Sequence, residues 1–218
     1  MISLFKLLRF LGPTLLFFGT FVVLPPLALS YFNNIPDAQL LNIYLGCIAY
    51  SVVIFFTLRQ RKFSYSPKDG FVITFLTWVM ISLLASLPFQ NANMVFYDAL
   101  FEAVSGLTTT GSTVIKDLSL FPDHILLYRQ LLQWAGGVGL VIVVLAIIPA
   151  VSGGMKVLQA ETSGFADKSF SPRLRETARS LLKFYVLITI ACVFSYWLVG
   201  MTWFEAFSHS FSLSLIHI

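Results

Sequence analysis

Apolar residues gather in five long runs, at about 11–31, 40–58, 71–88, 125–150 and 184–200, with polar and charged stretches between them. A helix crossing the hydrocarbon of a bilayer needs about 20 mostly apolar residues, so the pattern predicts five membrane-crossing helices. The segment between the third and fourth runs has a different character. Residues 96–112, Phe-Tyr-Asp-Ala-Leu-Phe-Glu-Ala-Val-Ser-Gly-Leu-Thr-Thr-Thr-Gly-Ser, read as a short helix entering a polar, glycine-containing loop. That helix stops after about three turns, too few to cross. Non-helical backbone at membrane depth survives where protein buries it or where it lines a watery cavity. The pattern therefore predicts a pore loop whose carbonyls replace water around a cation.

Composition agrees with a lipid solvent. Hydrophobic residues make up 57% of the chain, charged residues 11%, and the mean hydropathy is +0.84, against about 45–50% apolar and about 25% charged in soluble domains. The first run follows Lys6 and Arg9, as a signal peptide would, but Pro25-Pro26 stand where a small-residue cleavage site belongs. It reads as a retained helix, kinked or ended near Pro25. Cys47 and Cys192 lie inside apolar runs and read as small buried hydrophobes rather than a disulfide or a metal site.

Cationic residues set the orientation. Lys6 and Arg9 precede the first run. Arg59, Arg61, Lys62 and Lys68 fill the second loop, and Lys156, Lys168, Arg173, Arg175, Arg179 and Lys183 gather between the fourth and fifth runs. Twelve of the 14 Lys and Arg thus fall on one side, leaving Lys116 and Arg129 on the other. The positive-inside rule puts the N-terminus in the cytoplasm. The arrangement closes only when 89–124 enters and leaves the outer face without crossing, so charge and length agree on a re-entrant loop. The net charge of +4 is explained by this topology. No aromatic interleaving or recognition fold accompanies the basic loops, so nucleic acid is not an expected partner.

Val95 to Ser105 make a helix of about 16 Å, half the hydrocarbon thickness. Entering from outside, its C-terminus points to the bilayer centre, where the helix dipole favours a cation. Gly106 is the expected left-handed cap. Thr108, Thr109, Thr110, Gly111 and Ser112 then run back outward as the candidate ion-binding segment. Three β-branched threonines favour extended backbone, and Gly111 permits a conformation that aligns neighbouring carbonyls. Uncharged oxygens suit a monovalent ion that must bind and leave. The alternative is an ordinary outer loop with local side-chain hydrogen bonds. Asp98 and Glu102 either concentrate cations near the loop or serve helix stability and packing polarity. Arg129 either snorkels to headgroups or pairs with Asp117, Asp123 or Glu102.

The pattern repeats. Laying Asp98 on Glu205, an offset of 107 residues, also lays Ser105 on Ser212, but 213–218 carry no glycine to match Gly111. Gly136-Gly137-Val138-Gly139 lie inside an apolar run without a preceding strand, so they read as close helix packing or a bend near the ion path rather than a dinucleotide loop. An enzyme needs acid, base or metal groups converging at one depth. His124, His209 and His217 form no such motif with neighbouring acids, so no enzymatic activity and no cofactor are expected.

Phe101 to Ser112, Arg129-Gln130-Leu131-Leu132-Gln133-Trp134-Ala135-Gly136-Gly137-Val138-Gly139, Ala160-Glu161-Thr162-Ser163-Gly164 and Pro172 to Ala178 together resemble the Trk/Ktr/HKT potassium transporter superfamily, most closely its bacterial TrkH-like membrane subunits. The resemblance implies an all-α integral membrane protein: two leading helices, then helix–pore-loop–helix units of a potassium-channel-like pore. Residues 1–69 would be the leading pair, 70–150 the first unit, 151–176 a cytoplasmic loop, and 177–218 the start of a second unit. Thr108, Thr109, Thr110, Gly111 and Ser112 match the first of four selectivity-filter segments, and potassium, the transported substrate, would meet the backbone of Thr109, Thr110 and Gly111. The resemblance further implies an inner-membrane location, a homodimer of the full-length protein and a cytosolic nucleotide-binding regulatory subunit facing 151–183. Two and a half units and three filter segments have no counterpart here. One loop does not surround an ion, so the second reading is a truncated membrane fragment without transport activity of its own.

Overall fold

The computed structural model describes residues 4–61, 67–139 and 170–216, and these are helices and turns with no strand among them. The first helix has three parts. Helix α1 (Leu4–Phe17) runs through a π-helical stretch, Phe18–Val23, into α2 (Leu24–Phe32). The chain therefore does not end its helix at Pro25. The amide of Leu24 reaches back five residues to the Gly19 carbonyl, and the two prolines follow at the start of α2. A wide turn placed just before two residues that lack an N–H lets the helix continue past them.

Helix α3 (Ala38–Leu58) is capped by Asp37, whose carboxylate accepts the amides of Gln39 and Leu40 at 2.9 and 3.1 Å. Then come α4 (Pro67–Asn91), α5 (Phe96–Leu107), a 3-10 turn at Leu118–Leu120, α6 (residues 123–139), α7 (Phe170–Leu198) and α8 (Trp203–Ile216). Four helical stretches among the described residues are long and apolar enough to span a bilayer: Leu4–Phe32, Ala38–Leu58, Asp69–Asn91 and Arg179–Leu198. They correspond to four of the five apolar runs. The remaining run, 125–150, is described only to residue 139, and 140–169 lie outside the described residues.

Polar contacts show which helix ends lie together. At one end, Lys6 meets Asp69 at 2.7 Å, and the Arg9 guanidinium donates to the carbonyls of Leu58 and Arg61. The start of α1, the end of α3 and the start of α4 are thereby joined. At the other end, Asn91 donates to Asp37 at 3.2 Å, and His124 sits 3.5 Å from the same carboxylate. The start of α3, the end of α4 and the start of α6 are thus neighbours. Because α4 ends where α6 begins, residues 92–122 leave and return at one end of the bundle. That is the re-entrant course expected from length and charge.

The core lies between these ends. Phe18, Val22, Leu40 and Ile43 pack with Phe89, Ala99, Ala103, Tyr128 and Leu132, so α5 shares one core with the leading helices. Tyr128 is fully buried and its hydroxyl donates to the Ala85 carbonyl at 3.1 Å, which satisfies a donor that would otherwise be costly in an apolar interior. Trp134 of α6 stacks on Tyr185 of α7 and meets Phe211 of α8 edge-on, with ring centres at 5.4 and 5.8 Å. These contacts attach the second helix pair to the first unit.

Candidate functional site

Helix α5 owes its position to one small-residue face. Ala99, Ala103 and Gly106 are buried, as are Glu102, Ser105 and Leu107, while Phe101 and Val104 stay exposed. Spacings of three and four put the buried group on one side. A β-carbon on Gly106 would stand 3.3 Å from Cβ of Leu132, and one on Gly136 would stand 2.1 Å from the Leu107 carbonyl oxygen. The glycines of the 136–139 run therefore serve close packing: Gly136 receives the end of α5, and Gly139 faces the Trp78 ring. Gly136 lies twelve residues into α6 from His124, about 18 Å along the helix axis, so α5 ends deep in the bundle.

The cap differs from expectation. Gly106 lies inside the helix, and Thr109 takes the left-handed conformation at φ +58°. The amide of Thr110 bonds the Ser105 carbonyl at 3.0 Å and that of Thr109 bonds Gly106 at 2.9 Å, the paired closure of a Schellman motif. Gly106 is instead reserved for contact with Leu132, which leaves the cap to whatever residue comes three positions later. The same closure ends α2 at Asn34, α4 at Asn93 and α7 at Gly200. Asparagine and glycine tolerate that backbone, whereas a β-branched residue there is strained. Among these four helix ends, strain sits only at the candidate site.

Beyond Thr109 the loop is tied back on itself. Ser105 donates to the Ser112 carbonyl at 2.6 Å, Thr108 donates to the Val104 carbonyl at 2.8 Å, and the hydroxyls of Thr108 and Thr110 are 2.8 Å apart. Gly111 follows at φ +74°. Among the described residues no hydrogen-bond donor reaches the carbonyls of Thr109, Thr110 or Gly111. The structure thus keeps all five expected residues on one loop. It turns the Ser112 carbonyl inward and leaves three consecutive carbonyls without a protein donor.

Glu102 holds the returning limb. It is 1% exposed. One oxygen accepts the Thr113 hydroxyl and, at 2.8 Å, the Val114 amide; the other accepts Arg129 at 2.8 Å. Its carboxylate is committed to protein donors, which is the packing role rather than the cation-gathering one, and Arg129 is its ion-pair partner. Asp98 stays exposed in the first turn of α5. Sequence reasoning offered the Glu102–Arg129 pair among several options but had no signal for Thr113 and Val114, eleven and twelve residues away.

A polar bridge missed in the sequence runs from this loop to α8. A β-carbon on Gly111 would stand 3.6 Å from Nε2 of Gln133. Ser212 donates to Gln130 and, at 3.2 Å, to Gln133. Ser212 is the repeat partner of Ser105, so the offset of 107 residues held the available clue.

A sequence profile described as "TrkH: Cation transport protein" matches residues 37–214. The chain belongs to the TrkH family. Among its relatives is the Trk system potassium uptake protein TrkH of Vibrio parahaemolyticus, 38% identical over 95% of this chain and 44% of that protein. The protein of the same name from Escherichia coli K12 is 34% identical over 94% of this chain and 43% of its own length. The crystal structure of the potassium transporter TrkH from Vibrio parahaemolyticus superposes with a TM-score of 0.75 at 34% identity, covering 96% of this chain and 42% of that one. The chain therefore spans less than half the length of these TrkH relatives. The helical fold of the described residues, with a helix, loop and helix at one bundle end, is the TrkH-like arrangement anticipated from its motifs.

Proposed function

We propose that this chain supplies the first selectivity-filter segment of a potassium uptake pore. The observation that carries the reading is the run of three carbonyls, Thr109, Thr110 and Gly111, left without protein donors at the buried end of α5. The helix dipole there carries about half a negative charge, and uncharged oxygens replace a hydration shell without holding the ion too tightly. Thr108 and Ser112 flank the segment and fix its shape. Potassium is the transported substrate, as the names of the relatives support for those proteins. The segment forms one wall, so the path is completed by further filter segments. The activity is transport rather than catalysis.

The finer topology follows the same reading. Residues 1–69 are the leading pair, 70–150 the first unit, 151–176 a cytoplasmic loop and 177–218 the start of the second unit. The cationic end, with Lys6, Arg9 and Arg59, faces the cytoplasm of a bacterial inner membrane. The full-length protein is a homodimer, and a cytosolic nucleotide-binding subunit reaches the loop around 151–183.

The test is a chimaera in which this chain replaces the matching region of the Vibrio parahaemolyticus relative, expressed in cells lacking other potassium uptake. Gly111→Asp abolishes uptake while membrane insertion stays intact. Normal growth of that variant on limiting potassium rejects the filter role.

A further inference from the structure

At the end of the bundle where α1 begins, a cavity of about 380 Å³ opens between α1 and α3. Its walls are apolar, with Pro13 and Leu16 on one side and Val52 and Phe55 on the other, and Arg9 and Arg59 also line it. We propose that this trough binds an anionic phospholipid, one acyl chain lying along the apolar wall and the phosphate held by the two arginines. The Arg9 guanidinium donates to the carbonyls of Leu58 and Arg61 at the end of α3. Arg59 lies over the Phe55 ring, 5.4 Å from its centre, and Arg61 lies over Phe5 at 4.9 Å, contacts that favour a cation above an aromatic face. Neither Arg59 nor Arg61 meets a carboxylate in an ion pair among the described residues, while Asp69 at this end meets Lys6.

Two unlike surfaces therefore meet in one place. A free phosphate satisfies the arginines but gains nothing from the apolar wall. A zwitterionic lipid fills the wall but brings no net negative charge to the arginines. An anionic lipid uses both, and basic pockets between membrane helices are suited to such headgroups. The site is separate from the loop at 108–112, so its occupancy is readable whether or not ions pass.

The test uses the purified full chain in mild detergent, offered equal amounts of phosphatidylglycerol and phosphatidylethanolamine with identical acyl chains, with bound lipid read by native mass spectrometry. The chain retains phosphatidylglycerol preferentially. Arg59→Gln lowers that preference about fivefold, as loss of one cation near an anionic headgroup should, and leaves phosphatidylethanolamine unchanged. Val52→Trp, a substitution at an exposed position that fills the trough, lowers retention of both lipids and keeps the proposal testable if Arg59→Gln does not fold. Equal retention of the two lipids by the unaltered chain overturns the site. Displacement of phosphatidylglycerol by millimolar inorganic phosphate overturns it as well, because the apolar wall then contributes nothing.

Discussion

The carbonyl oxygen of Leu107 occupies the space where Gly136 would carry a side chain: a β-carbon built there would lie 2.1 Å away. This contact sets how deeply the short helix sits, and the position of every carbonyl after it follows. Depth, cap and returning limb are held by separate residues, which makes them separately testable.

Gly136→Ala should displace the end of α5, because the overlap is with backbone and no flexible side chain can yield. Overpacking costs about 1–3 kcal/mol, seen as a lower unfolding temperature of the full chain in detergent, and the chimaera should lose uptake. Gly139→Ala is the control. Among the described residues its β-carbon meets the Trp78 ring at 3.4 Å, ordinary van der Waals contact, so it should fold at least as well as the parent.

Removing Arg129 leaves the buried Glu102 carboxylate without its counter-charge, and removing Glu102 does the same to the half-buried Arg129. Glu102→Ala and Arg129→Ala should each destabilise the chain by about 3–5 kcal/mol. The double variant should lose far less than the sum. Additive losses in a double-mutant cycle of thermal unfolding would show that the 2.8 Å contact carries no coupling.

Thr109→Gly should raise stability by about 1 kcal/mol, since glycine adopts φ +58° without the clash of a branched side chain. Thr109→Val keeps the branching and loses the hydroxyl, and should bring no gain. If both variants unfold at the parental temperature, the cap is not strained.

Acid should loosen two surface turns. Hydrogen bonds from the hydroxyl and amide of Ser119 hold the Asp117 carboxyl below its ordinary 3.8, and bonds from the amide and hydroxyl of Thr202 hold Glu205 below its ordinary 4.5. A depressed carboxylate adds stability above its ordinary value and loses it as pH falls through the lowered one. Amide exchange at Ser119 and Thr202, corrected for intrinsic rates, should therefore quicken on acidification below about pH 4. Asp117→Asn should remove the change at Ser119 alone.

Hydropathy and length determined four of the membrane-spanning stretches and, with the placement of charge, a short re-entrant helix, expected over 95–105 and found over Phe96–Leu107, because each depends on local pattern and on how many residues cross a bilayer. The tertiary structure alone decided that Thr109 and not Gly106 takes the left-handed cap, that Glu102 faces Thr113, Val114 and Arg129 rather than solvent, and that Gln133 stands beside Gly111. In each case the deciding partner comes from another segment: Leu132 claims the bare face of Gly106, and Arg129 claims the charge of Glu102. Helical periodicity says which side of α5 is buried, but only the packed neighbour says against what.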